Sequence, residues 1–490
     1  MITDVLMAIA GLAAMLFVVM LLRAAYMPTR QIGRAEAAGL PAVDAEGASS
    51  RLAGAIRFRT INDGSDDGGN SAELDRLHEH LRSSYPNVFK RAAVSVHGGH
   101  SLLIEIKGSD PDAEPALFMG HLDVVPIEGT TAHLWERPPF SGDIHMGYVW
   151  GRGALDCKHV VSGLLEAAET LLVNGFEPKR GIVFAFGQDE ENGGAKGAAS
   201  IGAYLREKGS RFWIVLDEGG KIDSPGHLTG SKEEAVVSIG EKGFASFRLE
   251  VDMPGGHSAR PPRDNAINVL VRAVANVNSH SFSPRMDGPL SELLSFAGTE
   301  LGFWRRFAVA NMWLLKPLVV GWLSSDPSTR CIIRTTAVAT ILNAGVKDNV
   351  IPSPAEAVVN TRPAFGETPE SVKAELERAI GDERVKVVPI GHQQAPSKVA
   401  RVDNAQFGLL HSAIKRHFPD AVVIPGLLTG GTDTKHYAGL TDSVYRFIPI
   451  KLTHELAEGV HGINERIPVE GYVKMISFYM DIIESTANRI

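Results

Sequence analysis

Cysteine is scarce in this chain. Cys157 and Cys331 are the two in 490 residues, so a disulfide framework is excluded as the means of holding the fold. A single bridge between them is not expected, because Cys157 falls inside a motif taken up below. No long basic run occurs and the formal net charge is −8, so nothing argues for a nucleic-acid partner. A phosphate-binding loop is missing too. "GRGALD" lacks the right glycine pattern and "GGTDTK" lacks P-loop spacing, which removes the ground for a nucleotide-binding α/β protein. No internal repeat or low-complexity tract is evident.

Charge is absent from one stretch in particular. "VLMAIAGLAAMLFVVMLL", positions 5 to 22, is 18 residues without a charged side chain. As a helix it spans about 27 Å at about 1.5 Å per residue, just enough to cross a hydrocarbon core. A signal-peptide core is usually shorter and follows Lys or Arg, whereas here only Asp4 precedes it. Residues 1–26 are therefore expected to be an uncleaved single-pass membrane anchor. A signal peptide and a buried helix are the alternatives. Arg23, Arg30 and Arg34 lie on the C-terminal side, which by the positive-inside rule keeps the rest of the chain in the cytoplasm. Three arginines are a small sample, so the side of the membrane stays open.

The remainder is ordinary globular sequence, with 44% apolar and 22% charged residues overall. Its length exceeds what one core fills, so two or more domains are expected. Residues 27–48, rich in Ala, Gly and Pro, read as a tether with partial helix. From 49 to 238 short apolar strands such as "GIVFAF" alternate with helices such as "HVVSGLLEAAETLLVNG", the pattern of an α/β domain with a buried parallel sheet. From 239 to 394 the order becomes βαββαβ, a ferredoxin-like unit. The α/β pattern resumes over 395–490, so this unit is inserted within the first domain.

One segment fits neither pattern. "FWRRFAVANMWLLKPLVVGWLSS", 303 to 325, is nearly as apolar as a membrane span. Arg305, Arg306, Lys316 and Pro317 interrupt it and argue against a second span. It reads as a pair of packed helices, or as an apolar surface that meets the bilayer or a lipid-like substrate.

The chemistry begins at "GQDEENGG", 187 to 194. Asp189, Glu190 and Glu191 are adjacent, follow a buried strand, and are costly to desolvate together. A divalent cation makes such a cluster tolerable. Other candidate ligands follow apolar strands: His121 and Asp123 in "GHLDVVP", Asp156 in "GRGALDCK", Asp217 in "LDEGG". His461 lies in "VHGINERI". Imidazoles and carboxylates without thiolate suit catalytic zinc. Two histidines and three carboxylates exceed one tetrahedral zinc, but a two-metal site bridged by a carboxylate uses them all. Each residue alone has a plainer reading: a polar strand end, a solvated turn, a helix cap. Their shared position at strand ends, where α/β folds place sites, favours the metal.

"MGHLDVVP", "GYVWGRGALDCK", "GQDEENGG", "LDEGG", "GGHSARPP", "NVIPSPAEAVVNTRP" and "GGTDTKHY" occur in that order from about residue 50 onward. In order and spacing they resemble the co-catalytic zinc peptidases, the family of aminoacylase, carboxypeptidase S and succinyl-diaminopimelate desuccinylase. The "WLLKPLVVGWLSSDPSTRCIIRTTAVATILNAGVKDNVIP" stretch looks most like the N-fatty-acyl-amino-acid synthase/hydrolase branch. The resemblance implies a zinc-exopeptidase-like three-layer catalytic domain with two Zn2+ per chain and the ferredoxin-like insertion as a lid that dimerises in many members. It implies that Asp156 bridges the metals, that His121 and Asp217 complete one, and that Glu191 and His461 complete the other. Glu190 is then the general base, and Asp123 holds the His121 imidazole. His257 is implied as an oxyanion donor, Asn349 and Arg362 as substrate-binding residues, and Gly430 and Gly431 as a turn against the substrate backbone. The implied substrate is an N-acyl amino acid or, in the wider family, a short peptide. Cys157, directly after the bridging aspartate, departs from many relatives and is expected to be buried rather than ligating. A non-catalytic, membrane-tethered homologue is disfavoured because the general base and all five ligand positions are intact.

Overall fold

The apolar runs at 116–121, 182–187 and 214–217 form neighbouring strands, Ala116–His121, Ile182–Gly187 and Ile214–Asp217, buried along their whole length. They pair in parallel, with His121 opposite Gly187. Continuous rather than alternating apolar sequence is what a sheet covered on both faces requires. Val444–Arg446 adds a further parallel strand beside Ile214–Asp217, and Ser101–Ile106 and Ala93–His97 extend the other side antiparallel. The result is a mixed sheet of ten strands. The structure is a computed structural model that describes residues 1–36, 39–64 and 70–488. Residues 37 and 38 of the 27–48 tether lie outside them.

The helix expected over "HVVSGLLEAAETLLVNG" runs from Lys158 to Val173 and stops before Gly175, whose φ is 81°. It lies against the C-terminal helix Val469–Asn488. Gly163 permits the close approach, since a Cβ there would fall 2.7 Å from the Met475 methyl. On another layer Leu117, Met119, Val183 and Val215 pack with Ile201, Leu205 and Tyr437. Each such side chain contributes roughly 1.5–3 kcal/mol on burial.

The chain divides into two compact units. One contains 29–239, 400–426 and 432–490, and the other 1–28, 240–399 and 427–431. In the latter the strand order is Thr336–Ala344, Pro354–Arg362, Phe244–Asp252, Val385–Gln394, all antiparallel. With helices Ala266–Ser279 and Pro369–Ile380 this is the βαββαβ order read from the sequence. Phe244–Asp252 alternates buried and half-buried residues, as a sheet with one covered face should. Phe247, Leu249, Val269, Leu270 and Leu376 lie in its core.

The segment 303–325 folds as two helices, Phe303–Ala310 and Met312–Ser325, with Pro317 inside the second. The N-terminal run is one helix, Ile2–Ala25, long and apolar enough to cross a membrane.

Candidate active site

The C-terminal ends of three parallel strands carry or precede His121, Asp123, Glu190, Glu191 and Asp217, while Asp156 and His461 come from loops, before helix Lys158–Val173 and after helix His454–Gly459. His121 is the last residue of its strand. Its Nδ1 lies 3.0 Å from the Asp123 carbonyl and 3.3 Å from the Asp123 carboxylate. That leaves Nε2 facing the Asp156 carboxylate at 2.9 Å. The other Asp156 oxygen lies 3.0 Å from His461 Nε2, which is in turn 3.3 Å from Glu191. The two oxygens of one half-buried aspartate thus face two imidazoles.

The acidic turn separates Asp189 from the two glutamates. Asp189 accepts the backbone N–H groups of Lys196 and Gly197, both at 2.8 Å, and shapes the turn. The Asp123 carboxylate accepts the backbone N–H groups of Glu190 and Glu191, each at 3.2 Å, and the Asn62 amide at 2.9 Å. Asp123 therefore fixes both the imidazole and the backbone that carries the two glutamates.

His461 sits in the left-handed region at φ 59°, and so does Asn464 at φ 58°. For residues other than glycine this costs about 1–2 kcal/mol each, and local bonds hold it. The Asn464 side chain accepts the Glu136 N–H at 2.7 Å. Fully buried Glu465 accepts the backbone N–H groups of Gly153, Leu155 and Asp156 at 3.0, 2.7 and 3.2 Å. It also pairs with Arg152 at 2.6 Å, and Arg152 donates to the Gly462 carbonyl at 2.9 Å. One carboxylate thus ties the loop bearing Asp156 to the loop bearing His461. "VHGINERI" contains Glu465, but its partners lie some 310 positions away, so no local pattern points to it.

Asp217 and Glu218 also need distinguishing. Among the described residues, two groups are close enough to share a cation: His121, Asp156 and Glu191, and His121, Cys157 and Glu218. Glu218 lies 3.3 Å from His121 Nε2. Asp217 is buried, one oxygen accepting the Glu218 N–H at 2.9 Å and the other without a partner. Cys157 is buried as expected.

The electrostatics are those of a site built around positive charge. Burial pushes the carboxyls of Glu190 and Glu191 upward, and that of Asp217 to about 7, with Glu218 adding to the last. Hydrogen bonds to Asp156 and Glu191 hold His461 up at about 10. For His121, burial opposes the charged form, but Glu218 and its other acidic neighbours outweigh it and raise the pKa. Glu191 Oε1 and Asp217 Oδ2 are buried without hydrogen-bond partners, which is costly unless something else satisfies them. The orphaned Glu191 oxygen, on a carboxylate close to both His121 and His461, fits a divalent cation of the zinc class.

The family model "Peptidase family M20/M25/M40" matches residues 117–485. The chain belongs to this peptidase family. Members are metal-dependent, typically with zinc. "Probable carboxypeptidase S-like 2" of Dictyostelium discoideum is 39% identical, over 89% of this chain and 85% of its own length. The N-fatty-acyl-amino acid synthase/hydrolase of Mus musculus is 36% identical over 89% and 86%. Among solved structures, an M20 family metallo-carboxypeptidase from Sulfolobus solfataricus has the same fold. Its TM-score is 0.66 at 18% identity, covering 90% of this chain and 99% of that one. As an M20 peptidase this chain is a hydrolase of amide or peptide bonds.

The remaining candidates lie in the second unit. His257 and Asn349 come together at a short two-stranded antiparallel ladder, where His257 pairs with Val350 and the Ser258 N–H reaches the Asn349 carbonyl. Both residues are exposed. His257 Nδ1 accepts the Ala259 N–H at 3.0 Å, so the neutral ring carries its proton on Nε2. Arg362 stacks over Phe244 at 4.8 Å, and its half-buried guanidinium has no ion pair or hydrogen bond among the described residues. Gly430 and Gly431 face open space, with nothing within 4 Å of a Cβ at either.

Proposed function

We propose that this M20 peptidase is a membrane-anchored, two-zinc amidohydrolase of N-acyl amino acids, cleaving the bond between an acyl group and an amino acid with a free carboxylate. By microscopic reversibility it can also form that bond. The observation that carries the proposal is the Asp156 carboxylate, with one oxygen facing His121 and the other His461. In this reading Glu191 and His461 would hold one metal, His121 and either Asp217 or Glu218 the other, and Asp156 would serve both.

When bound, the zinc pair supplies Lewis acidity and a hydroxide source near neutral pH. The protein's own groups do the rest. Glu190 takes a proton from the attacking water as its oxygen bonds the acyl carbon. It then delivers that proton to the amide nitrogen as the C–N bond breaks. Asp123 keeps the His121 proton on Nδ1, so that Nε2 can ligate. His257 Nε2–H donates to the carbonyl oxygen as charge develops there. The planar Arg362 guanidinium would bind the substrate carboxylate bidentately, and Asn349 would bind another polar group of the substrate. Gly430 and Gly431 leave room for the substrate backbone.

The division we propose is anchor 1–26, tether 27–48, catalytic parts 49–238 and 395–490, and a lid and dimerisation unit 239–394. Two features support it. The last turns of Ile2–Ala25 are packed into the fold, with Ala24 fully buried, which suits a retained anchor better than a removed leader. Thr336–Ala344 is an edge strand on which Val338, Ile341 and Leu342 are more than half exposed, as a homodimer contact would need. A fatty-acyl chain suits an anchored enzyme and the activity named for the mouse relative. Hydrolysis of short peptides is the second reading, favoured by the carboxypeptidase S-like name of the Dictyostelium relative.

Metal titration tests the two-zinc assignment. Chelated protein is expected to be inactive and to recover as zinc rises to about two per chain. Asp217→Ala and Glu218→Ala then decide which acid ligates, since the ligand's loss lowers stoichiometry and the neighbour's does not. A wild-type plateau at one metal would overturn the bridged site.

A further inference from the structure

The N-terminal helix and the 303–325 segment form one surface. Phe17 stacks on Phe307, with ring centroids 5.8 Å apart. Met20, Ala24 and Phe307 form a small buried cluster with Leu21, Ala310 and Leu315 against it. Polar groups lock the contact. The Asn311 amide donates to the Met20 carbonyl at 3.0 Å and to the Phe307 carbonyl at 2.9 Å. Arg23 Nε donates to the Ala310 carbonyl at 3.1 Å.

Around this contact the apolar face is uncovered. Trp304 is 70% exposed, Trp313 59% and Leu318 65%, and Phe303 and Leu314 are also exposed. Arg305 lies 4.7 Å over the Trp322 ring and Arg306 5.9 Å over Phe303. Such stems let guanidinium groups reach headgroups while the chain stays among apolar atoms. Tryptophan with nearby Arg and Lys is the composition of a membrane–water boundary.

Length decides what covers this face. The exposed apolar part of the helix, residues 5–19, spans only about 22 Å at about 1.5 Å per residue. A hydrocarbon core is about 30 Å thick. Residues 5–25 span about 32 Å by the same rise. A helix that crosses must therefore bring its last turns into the bilayer, and those turns are bonded to Phe307, Ala310 and Asn311.

We propose that Phe303–Ala310 and Met312–Ser325 are embedded in the leaflet where the anchor emerges, presenting Trp304, Trp313, Leu314 and Leu318 to phospholipid. This rests on the reading of Ile2–Ala25 as a retained anchor and adds a second, interfacial membrane contact. The test uses the full chain in phospholipid vesicles whose acyl chains are brominated near the headgroup. Bromolipid quenching of tryptophan fluorescence is expected to fall at least two-fold in Trp304→Phe/Trp313→Phe. Leu318→Trp in that background is expected to restore it. Alkaline carbonate extraction reports on the anchor separately. Retention with equal quenching in wild type and the double variant would overturn the interfacial contact and leave the anchor standing. Release by carbonate would overturn both.

Discussion

Glu190→Gln is expected to lose at least about 100-fold in kcat while binding the wild-type amount of metal, the usual scale for removing a general base. The geometry separates the two effects. Neither group of side chains close enough to share a cation contains Glu190, whereas Glu191 belongs to one of them. The Asp123 carboxylate holds the backbone of both residues, so the amide should sit where the acid sat. Burial raises the Glu190 carboxyl, and divalent charge held beside it would oppose that and favour the base form. Activity within a few-fold of wild type would remove Glu190 from the mechanism. Loss of metal alongside activity would make it a ligand instead.

Glu465→Ala is expected to weaken zinc binding at least 10-fold in chelator competition and to lower kcat as occupancy falls. The substitution strips three backbone N–H groups of their acceptor and leaves Arg152 buried without its partner. Breaking a buried ion pair by removing one member costs about 3–5 kcal/mol. The two loops it joins carry Asp156 and His461. Partners that orient ligands typically change metal affinity by about 10- to 100-fold. Glu465→Gln keeps an acceptor for the N–H groups but loses the charge facing Arg152, and should fall between. Unchanged zinc affinity in both variants would reduce Glu465 to a packing role.

Much of this site is legible in the sequence because strand ends announce it. An apolar run that stops at His121, at the 187–191 turn or at Asp217 names both the strand and the side chains at its C-terminal end. The βαββαβ order is legible for the same reason, as local periodicity. Three things are not. Asp189, Glu190 and Glu191 are alike in sequence, and only the turn's hydrogen bonds assign Asp189 to its shape. Asp217 and Glu218 are adjacent at a strand end, where successive side chains point to opposite sides. Resemblance selects Asp217, while proximity to His121 selects Glu218. The third is Glu465, whose whole meaning is long-range. The segment 303–325 shows the same limit. Its composition says only that it is apolar with charges, and its packing against residues 17–24 is what gives that pattern a place.

The most direct test of the account is amino-acid release by the purified, zinc-loaded chain from a matched panel. Phenylalanine would be capped by acetyl, octanoyl or oleoyl groups, or by a second amino acid. The account predicts hydrolysis of the N-acyl substrates with kcat/KM rising with chain length, and little activity once the carboxylate is amidated and Arg362 has nothing to bind. Preference for the dipeptide or the acetyl substrate would place the chain among short-peptide or short-acyl hydrolases of the family. No release from any member of the panel would contradict the account.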